Sequence, residues 1–247
     1  MFFFDEVNGS ASACYRENGF VAIRSIIPRD EALQWREAAI DASARLAAYS
    51  DAPVFTQTVN VWRQDERMKA LTLDARLARA ATTLAGVGLK IWHDQILIKQ
   101  PHNRTPTEFH QDQPYWPHLD SPNPISIWLA LGDVSVDAGC MTFIPGSQQF
   151  TDLPAQNLGD ADSLFSLCPE LAWAARVTLP LRAGDCTFHH GRCAHMAGAN
   201  QTDDPRVAHT VIYMDATTRY SGAGHVVTDP LGLNVGAQLD HEVFPIA

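Results

Sequence analysis

The stretch with the most chemical potential is "FHQDQPYWP", Phe109 to Pro117. Residues two apart in an extended strand share a face, so His110 and Asp112 would project together and Gln111 away. An imidazole and a carboxylate on one side make two-thirds of a 2-His-1-carboxylate set. Such a set leaves positions open and suits non-haem Fe(II) and oxygen chemistry. The third ligand must be a distant histidine, and "CTFHHGRCAHMAGAN" offers His189, His190 and His195. Taken alone, H-x-D equally describes a solvated or structural pair. A zinc set of Cys186, His189, Cys193 and His195 is a rival, although its spacing matches no familiar zinc module.

The elements that would position these residues fall into two styles. "NGFVAIRSII" reads as a strand, and "PRDEALQWREAAIDASARLAA" as a helix opened by Pro28 and Asp30, with Leu33, Ala39, Ile40 and Ala47 near helical spacing. "VFTQTVNVW" is strand-like, and one helical pattern runs through "DERMKALTLDARLARAATTLAG" to Gly86. From Leu89 the chain becomes a series of short β-rich runs: "LKIWHDQILIK", "TEFHQD", "PISIWLALGDV", "MTFIP", "ARVTLPL", "CTFHH" and "RVAHTVIYM". Gly, Pro, Asn and Asp clusters separate them, which suggests a β-sandwich or barrel. With no linker between the halves, the expected organisation is one domain over 1–247: a helix and strand support (1–88), a β core (89–216) and an irregular tail (217–247).

Bulk properties exclude several function classes. The 247 residues suffice for a full core, and 46% hydrophobic with 19% charged residues argues against disorder. A net charge of −10 without a Lys/Arg-rich run disfavours nucleic acid as a partner. No apolar run reaches membrane-spanning length, so no membrane partner is expected. Five scattered cysteines without C-x-x-C fit a reducing compartment. "MFFFDE" lacks a basic n-region and "FPIA" is no peroxisomal address, so the expected location is cytoplasmic.

Three segments together resemble the phytanoyl-CoA dioxygenase family of Fe(II)/2-oxoglutarate oxygenases. They are "FHQDQPYW", "ISIWLALGDVSVDAGCMTFIPGSQ" and "LRAGDCTFHHGRCAHMAGANQTDDPRVAHTVIY", with "NGFVAIRSIIPRDEA" similar to the family's opening. The resemblance covers roughly Gly19 to Met214. It implies a mainly β fold with flanking helices, the double-stranded β-helix (a jelly-roll, cupin-like barrel). The implied iron ligands are His110, Asp112 and His195, the last within "HMAGAN". His189 and His190 fall on a strand that carries no ligand in the family, which leaves them core or supporting histidines. Arg206 matches the arginine that holds the distal carboxylate of 2-oxoglutarate, a task suited to a planar, permanently charged guanidinium. Trp128 sits where relatives line the co-substrate pocket; Lys99 and Gln95 are further candidates for holding it. Tyr115 and Trp116 would wall the substrate side. Departures are Ala197, where many relatives carry Ser, and Gln148 in "PGSQ".

The implied activity is oxidation by Fe(II), 2-oxoglutarate and O2, hydroxylating an unactivated C–H of a small organic substrate with release of succinate and CO2. Asp112 occupies the position a halogenase leaves open for chloride. The alternative is a cupin-like metal-binding protein, an isomerase or ligand-binding module, without 2-oxoglutarate turnover. Acyl-CoA thioesters, zwitterions and natural-product intermediates all remain possible substrates. The long stretch 151–175 is expected to act as a lid, with Leu164, Phe165, Leu167, Leu171 and Trp173 as its apolar face; the alternative is an insertion whose apolar side packs permanently on the barrel.

Overall fold

The computed structural model describes residues 2–46 and 55–247. Ala47, at the end of one expected helix, and Val54, at the start of one expected strand, lie outside them.

The β-rich runs form strands where the sequence places them. A seven-stranded sheet contains β1 (Phe3–Phe4), β2 (Phe20–Ile23), β3 (Thr56–Val59), β4 (Leu89–Lys99), β7 (Ile125–Ala130), β10 (Cys186–His190) and β12 (Arg206–Asp215), in the order β1-β2-β10-β7-β12-β4-β3. A smaller sheet has the order β5-β11-β8-β9, from β5 (Thr107–His110), β8 (Met141–Phe143), β9 (Val177–Leu179) and β11 (His195–Ala197). A two-stranded antiparallel sheet pairs β6 (His118–Leu119) with β13 (Arg219–Tyr220). The architecture is of the jelly-roll, cupin-like class, with two sheets that do not close into one hydrogen-bonded barrel.

Alternation along the strands of the large sheet divides its two faces. Ile91, Ile96, Ile98, Ile127, Leu129, Val207 and Val211 pack outward into the main core. There they meet helices α1 (Gly9–Asn18), α2 (Arg29–Arg45), α3 (Glu66–Thr72) and α4 (Ala75–Ala85). Helix α1 went unread in the sequence. Asn8 caps it, its side chain accepting from the Ser10 and Ala11 N–H groups, and Gly19 ends it at φ +80°. The single helix expected over 65–86 is two. Asp74 accepts the Arg76 N–H and starts α4, which breaks the run after Thr72.

The inner face carries the rows that matter for chemistry. Gln95 pairs with Thr210 and Thr210 with Trp128 across β4, β12 and β7. The next row runs His93, Ile212, Ser126, His189, reaching β10. Phe20 stacks on Phe143 at 4.5 Å and closes the space between the sheets at one end.

The segment 151–175 contains α5 (Ser163–Leu167) and a 3-10 turn over Pro169–Trp173. Its apolar flank does not face the interior as expected. Leu164 and Leu171 are buried against Phe109, Ile144 and Ala194, on the outer side of the small sheet. Phe109 and His110 are adjacent in β5, so the side chain next to the candidate ligand points to the opposite face. Leu167 is partly exposed, and Trp173 is 93% exposed.

Candidate active site

His110 ends β5 and His195 opens β11, and the two stand directly opposite in register. Their rings lie 4.3 Å apart, centroid to centroid. Asp112 reaches the same point by a different route from the one expected. The strand stops at His110, and Asp112 adopts helical backbone angles (φ −76°, ψ −42°) at the start of a 3-10 turn, Gln113–Tyr115. The turn, not strand alternation, aims its carboxylate. Gln111 does point away, its amide donating to the carbonyls of Phe150 and Arg192.

One Asp112 oxygen, Oδ1, lies 3.5 Å from His110 Nε2 and 3.7 Å from His195 Nε2. Each histidine donates its Nδ1–H to a backbone carbonyl, His110 to Glu108 at 2.7 Å and His195 to Cys193 at 2.9 Å. That fixes the tautomer and leaves both Nε2 lone pairs for a metal. Burial holds His195 down at about 3, so its imidazole is neutral. Burial acts to raise the Asp112 carboxyl, but the surrounding imidazoles of His195, His110 and His189 outweigh it, and it stays well below the usual carboxylate range. Two imidazoles and one carboxylate, with ligand atoms all within 4.8 Å of one another, fit a divalent cation. This is the only such trio of His, Cys, Asp or Glu among the described residues. Cys186 and Cys193 are not part of it, and burial pushes the Cys193 thiol up to about 12, so the zinc set is not assembled.

His189 is not a member of that trio. It donates from Nε2 to the other Asp112 oxygen at 3.2 Å, and Ser126 Oγ approaches the same oxygen at 3.5 Å. His190 instead faces the Pro122 carbonyl at 2.9 Å.

The trio lines a cavity of about 440 Å³ between the sheets. Arg206, Trp128, Gln95, Tyr115 and Trp116 line it too. Arg206 is 4% exposed, lies 5.3 Å over the Trp128 ring and gives Nη1 to the Gly139 carbonyl at 3.3 Å. Its Nε has no partner. Burial draws the guanidinium down to about 10, which leaves it charged at neutral pH. A buried cation with an orphaned donor calls for an anion, and the distal carboxylate of 2-oxoglutarate is one. Gly139 has φ +82°, and a Cβ there would stand 2.4 Å from the Gly198 carbonyl oxygen, so this close approach beneath Arg206 requires glycine.

Lys99 is placed elsewhere. It is absent from the cavity lining, and its Nζ donates to the carbonyls of Thr105, Ala197 and Gly198 at 2.8–3.2 Å. Burial and the nearby Arg206 draw it down to about 7. Tyr115 donates its hydroxyl to the Gln156 carbonyl, and Leu158 reaches the cavity from the same segment. The sequence reading missed the rest of the mouth: Phe55, Gln57 and Val59 of the β3 region, His93, and Gly224–Val226 of the tail. Among the described residues no helix is long and apolar enough to cross a membrane.

Comparison with known proteins agrees with this geometry. A mouse (Mus musculus) protein, phytanoyl-CoA dioxygenase domain-containing protein 1, is 31% identical over 128 residues, 49% of this chain and 43% of its own length. The chain thus spans less than half of that relative. Among solved structures, the non-haem alpha-ketoglutarate-dependent carbocyclase SnoK from nogalamycin biosynthesis superposes with a TM-score of 0.87 at 31% identity, covering 98% of this chain and 97% of that one. The epimerase SnoN, in complex with Fe3+, alpha-ketoglutarate and nogalamycin RO, gives 0.81 at 33% identity over 95% of this chain and 96% of its own. The family model for phytanoyl-CoA dioxygenase matches residues 15–208, and the chain belongs to that family of Fe(II)- and 2-oxoglutarate-dependent oxygenases.

Proposed function

We propose that the protein oxidises an unactivated C–H of a small organic molecule, with hydroxylation as the outcome. One juxtaposition carries this reading: the His110, Asp112 and His195 trio shares a single cavity with the orphaned guanidinium of Arg206. His110, Asp112 and His195 would hold Fe(II). With 2-oxoglutarate and O2 the bound metal supplies an oxidant able to take a hydrogen atom from carbon, with succinate and CO2 as co-products. Arg206, stacked on Trp128, would clamp the distal carboxylate of 2-oxoglutarate in a fork geometry that a lysine lacks. His189 holds one Asp112 oxygen and leaves the other for the metal. Tyr115 and Trp116 would hold the substrate and keep water from the reacting carbon. Lys99 braces the turn that follows His195 instead of touching co-substrate.

The near full-length likeness to two nogalamycin-biosynthesis enzymes supports a natural-product intermediate over an acyl-CoA as the substrate. Those relatives are a carbocyclase and an epimerase, so the first hydrogen removal can be common while the later step differs. Residues 1–247 would act as one catalytic unit, since β1 and β2 complete the sheet that carries Arg206. Five cysteines, four of them buried, suit a reducing, cytoplasmic setting.

The test is in three stages. Anaerobic calorimetry should show 2-oxoglutarate binding to the Fe(II) protein, and admitting O2 should release succinate. With nogalamycin RO and related intermediates as a panel, succinate above the substrate-free rate should accompany a product one oxygen heavier. Failure to bind 2-oxoglutarate would favour the metal-binding barrel without turnover. A coupled product with no added oxygen would keep the oxygenase reading and discard hydroxylation.

A further inference from the structure

We propose that the prime substrate is anchored by an uncharged hydroxyl group bridged between His93 and His225, which makes these two histidines the specificity-determining contacts. The proposal rests on the reading of the cavity as an oxygenase active site.

Both rings line the cavity and stack on each other at 5.7 Å and 26°. Their tautomers are opposite. His93 Nδ1 faces the Asp94 carbonyl at 3.3 Å. A carbonyl only accepts, so Nδ1 carries the proton and Nε2 is a bare acceptor. His225 Nδ1 instead accepts the Val227 backbone N–H at 3.2 Å, which puts the proton on Nε2 and makes it a donor. Burial draws both below the usual histidine value, to about 3 and about 4, so neither is charged at neutral pH. Trp92, 5.0 Å from His225 and fully buried, fixes the ring from behind.

An acceptor beside a donor on a partly dry wall matches one group that does both. A hydroxyl donates to His93 Nε2 and accepts from His225 Nε2–H. A carboxylate or phosphate can only accept, and an ammonium can only donate; either leaves one ring nitrogen unpaired. The charge inventory points the same way. Among the described residues, Arg206 is the only lysine or arginine lining the cavity and Asp112 the only carboxylate. Both are committed, to co-substrate and metal. No remaining side chain neutralises an anionic or zwitterionic substrate there, and burying an unpaired charge is costly. Trp116, Val59 and Ile212 leave the nearby wall apolar, suited to a ring or hydrocarbon frame.

Four probes sharing one ring separate these possibilities: benzyl alcohol, toluene, benzoate and benzylammonium. Each is titrated into the anaerobic protein saturated with Fe(II) and 2-oxoglutarate, so that benzoate cannot take the Arg206 site. Line broadening of probe protons by Fe(II) reports seating near the metal. Benzyl alcohol should bind about fivefold more tightly than toluene, the worth of one net hydrogen bond, and more tightly than either charged probe. His93→Phe and His225→Phe should each erase that advantage, and His93→Gln, which keeps an acceptor oxygen, should restore part of it. His225 is half-buried in the tail, so its variant keeps the test open if His93→Phe does not fold. A charged probe binding as well as the alcohol, toluene matching it, no broadening by any probe, or an advantage that survives both Phe variants overturns the proposal. Wild-type protein that binds no Fe(II) or 2-oxoglutarate overturns the underlying reading instead.

Discussion

Replacing Arg206 by alanine should cost the protein most of its affinity for 2-oxoglutarate. The guanidinium is 4% exposed, its Nε is unpaired, and only the Gly139 carbonyl occupies one of its nitrogens. Most of its donor fork is therefore free for a carboxylate. Removing one partner of a buried, hydrogen-bonded charge pair costs about 2–5 kcal/mol, or roughly 30-fold to a few thousand-fold in affinity. The lower half of that range is expected, because Asp112 keeps 24% of its side-chain surface exposed and water can enter to solvate the stranded carboxylate. Anaerobic calorimetry on the Fe(II) protein measures the loss directly, and steady-state succinate release should show it mainly in the KM for 2-oxoglutarate. Arg206→Lys should recover only part, since an ammonium makes no paired fork and cannot stack on Trp128 as a plane. If Arg206→Ala binds 2-oxoglutarate with unchanged affinity while still binding iron, the co-substrate lies elsewhere.

Three other perturbations address separate parts of the site. Alanine at His110, Asp112 or His195 should abolish 2-oxoglutarate turnover, whereas His190→Ala should retain it; retention in His195→Ala with loss in His190→Ala would reassign the third ligand. His189→Leu removes the N–H that holds Asp112 Oδ2 and should weaken Fe(II) binding about 10- to 100-fold, with His189→Gln recovering part; an unchanged iron titration would make His189 a packing residue only. Buried Asp94 receives Thr72 Oγ1 and the Trp62 N–H, and burial raises its carboxyl from an ordinary 3.8 to about 7. Between those values the folded protein keeps a proton that the unfolded chain releases. Its contribution is therefore fully present below 3.8 and lost as pH rises through about 7, on the order of 4 kcal/mol across the window. Urea denaturation of Asp94→Asn against wild type should show that slope removed, and parallel curves at all pH values would refute it.

The grouping of His110, Asp112 and His195 was legible because local spacing and segment order are properties of the sequence itself. Strand alternation accounts for the H-x-D pair only in part, since a 3-10 turn opened by Asp112 replaces the extended backbone. A Pro at 114 was the available signal, because proline favours the first turn of a helix. The break between α3 and α4 was also legible in hindsight: Asp74 after Leu73 is an N-cap, and apolar periodicity alone hid it. His93 could have been found from β4 itself, since it shares parity with Gln95, which was singled out. His225 could not. It reaches the cavity through tertiary contacts of an irregular tail, held by the Lys90 bridge to Ile246 and by Arg219 pairing with Gln238, and no local pattern encodes such contacts. Burial of Leu164 and Leu171 on the far side of the small sheet likewise depends on which face of β5 is covered, which the segment's own composition does not state.

The two halves of the site stand on different sheets, and this division explains the placement of Lys99. His110 and His195 belong to the small sheet, while Arg206 and Trp128 belong to the large one. A co-substrate that touches metal at one end and guanidinium at the other needs a fixed distance between the sheets. Lys99 is the register partner of Arg206 on the neighbouring strand, and its ammonium ties the carbonyls of Ala197 and Gly198 at the end of β11. One buried cation thus fastens the large sheet to the strand that carries His195, next to the guanidinium. The arrangement sets two buried cations side by side, which is unfavourable alone and adds to the larger effect of burial in drawing Lys99 down to about 7. A dicarboxylate held at Arg206, as proposed, would relieve that repulsion, and its binding would then favour the locking of the two sheets.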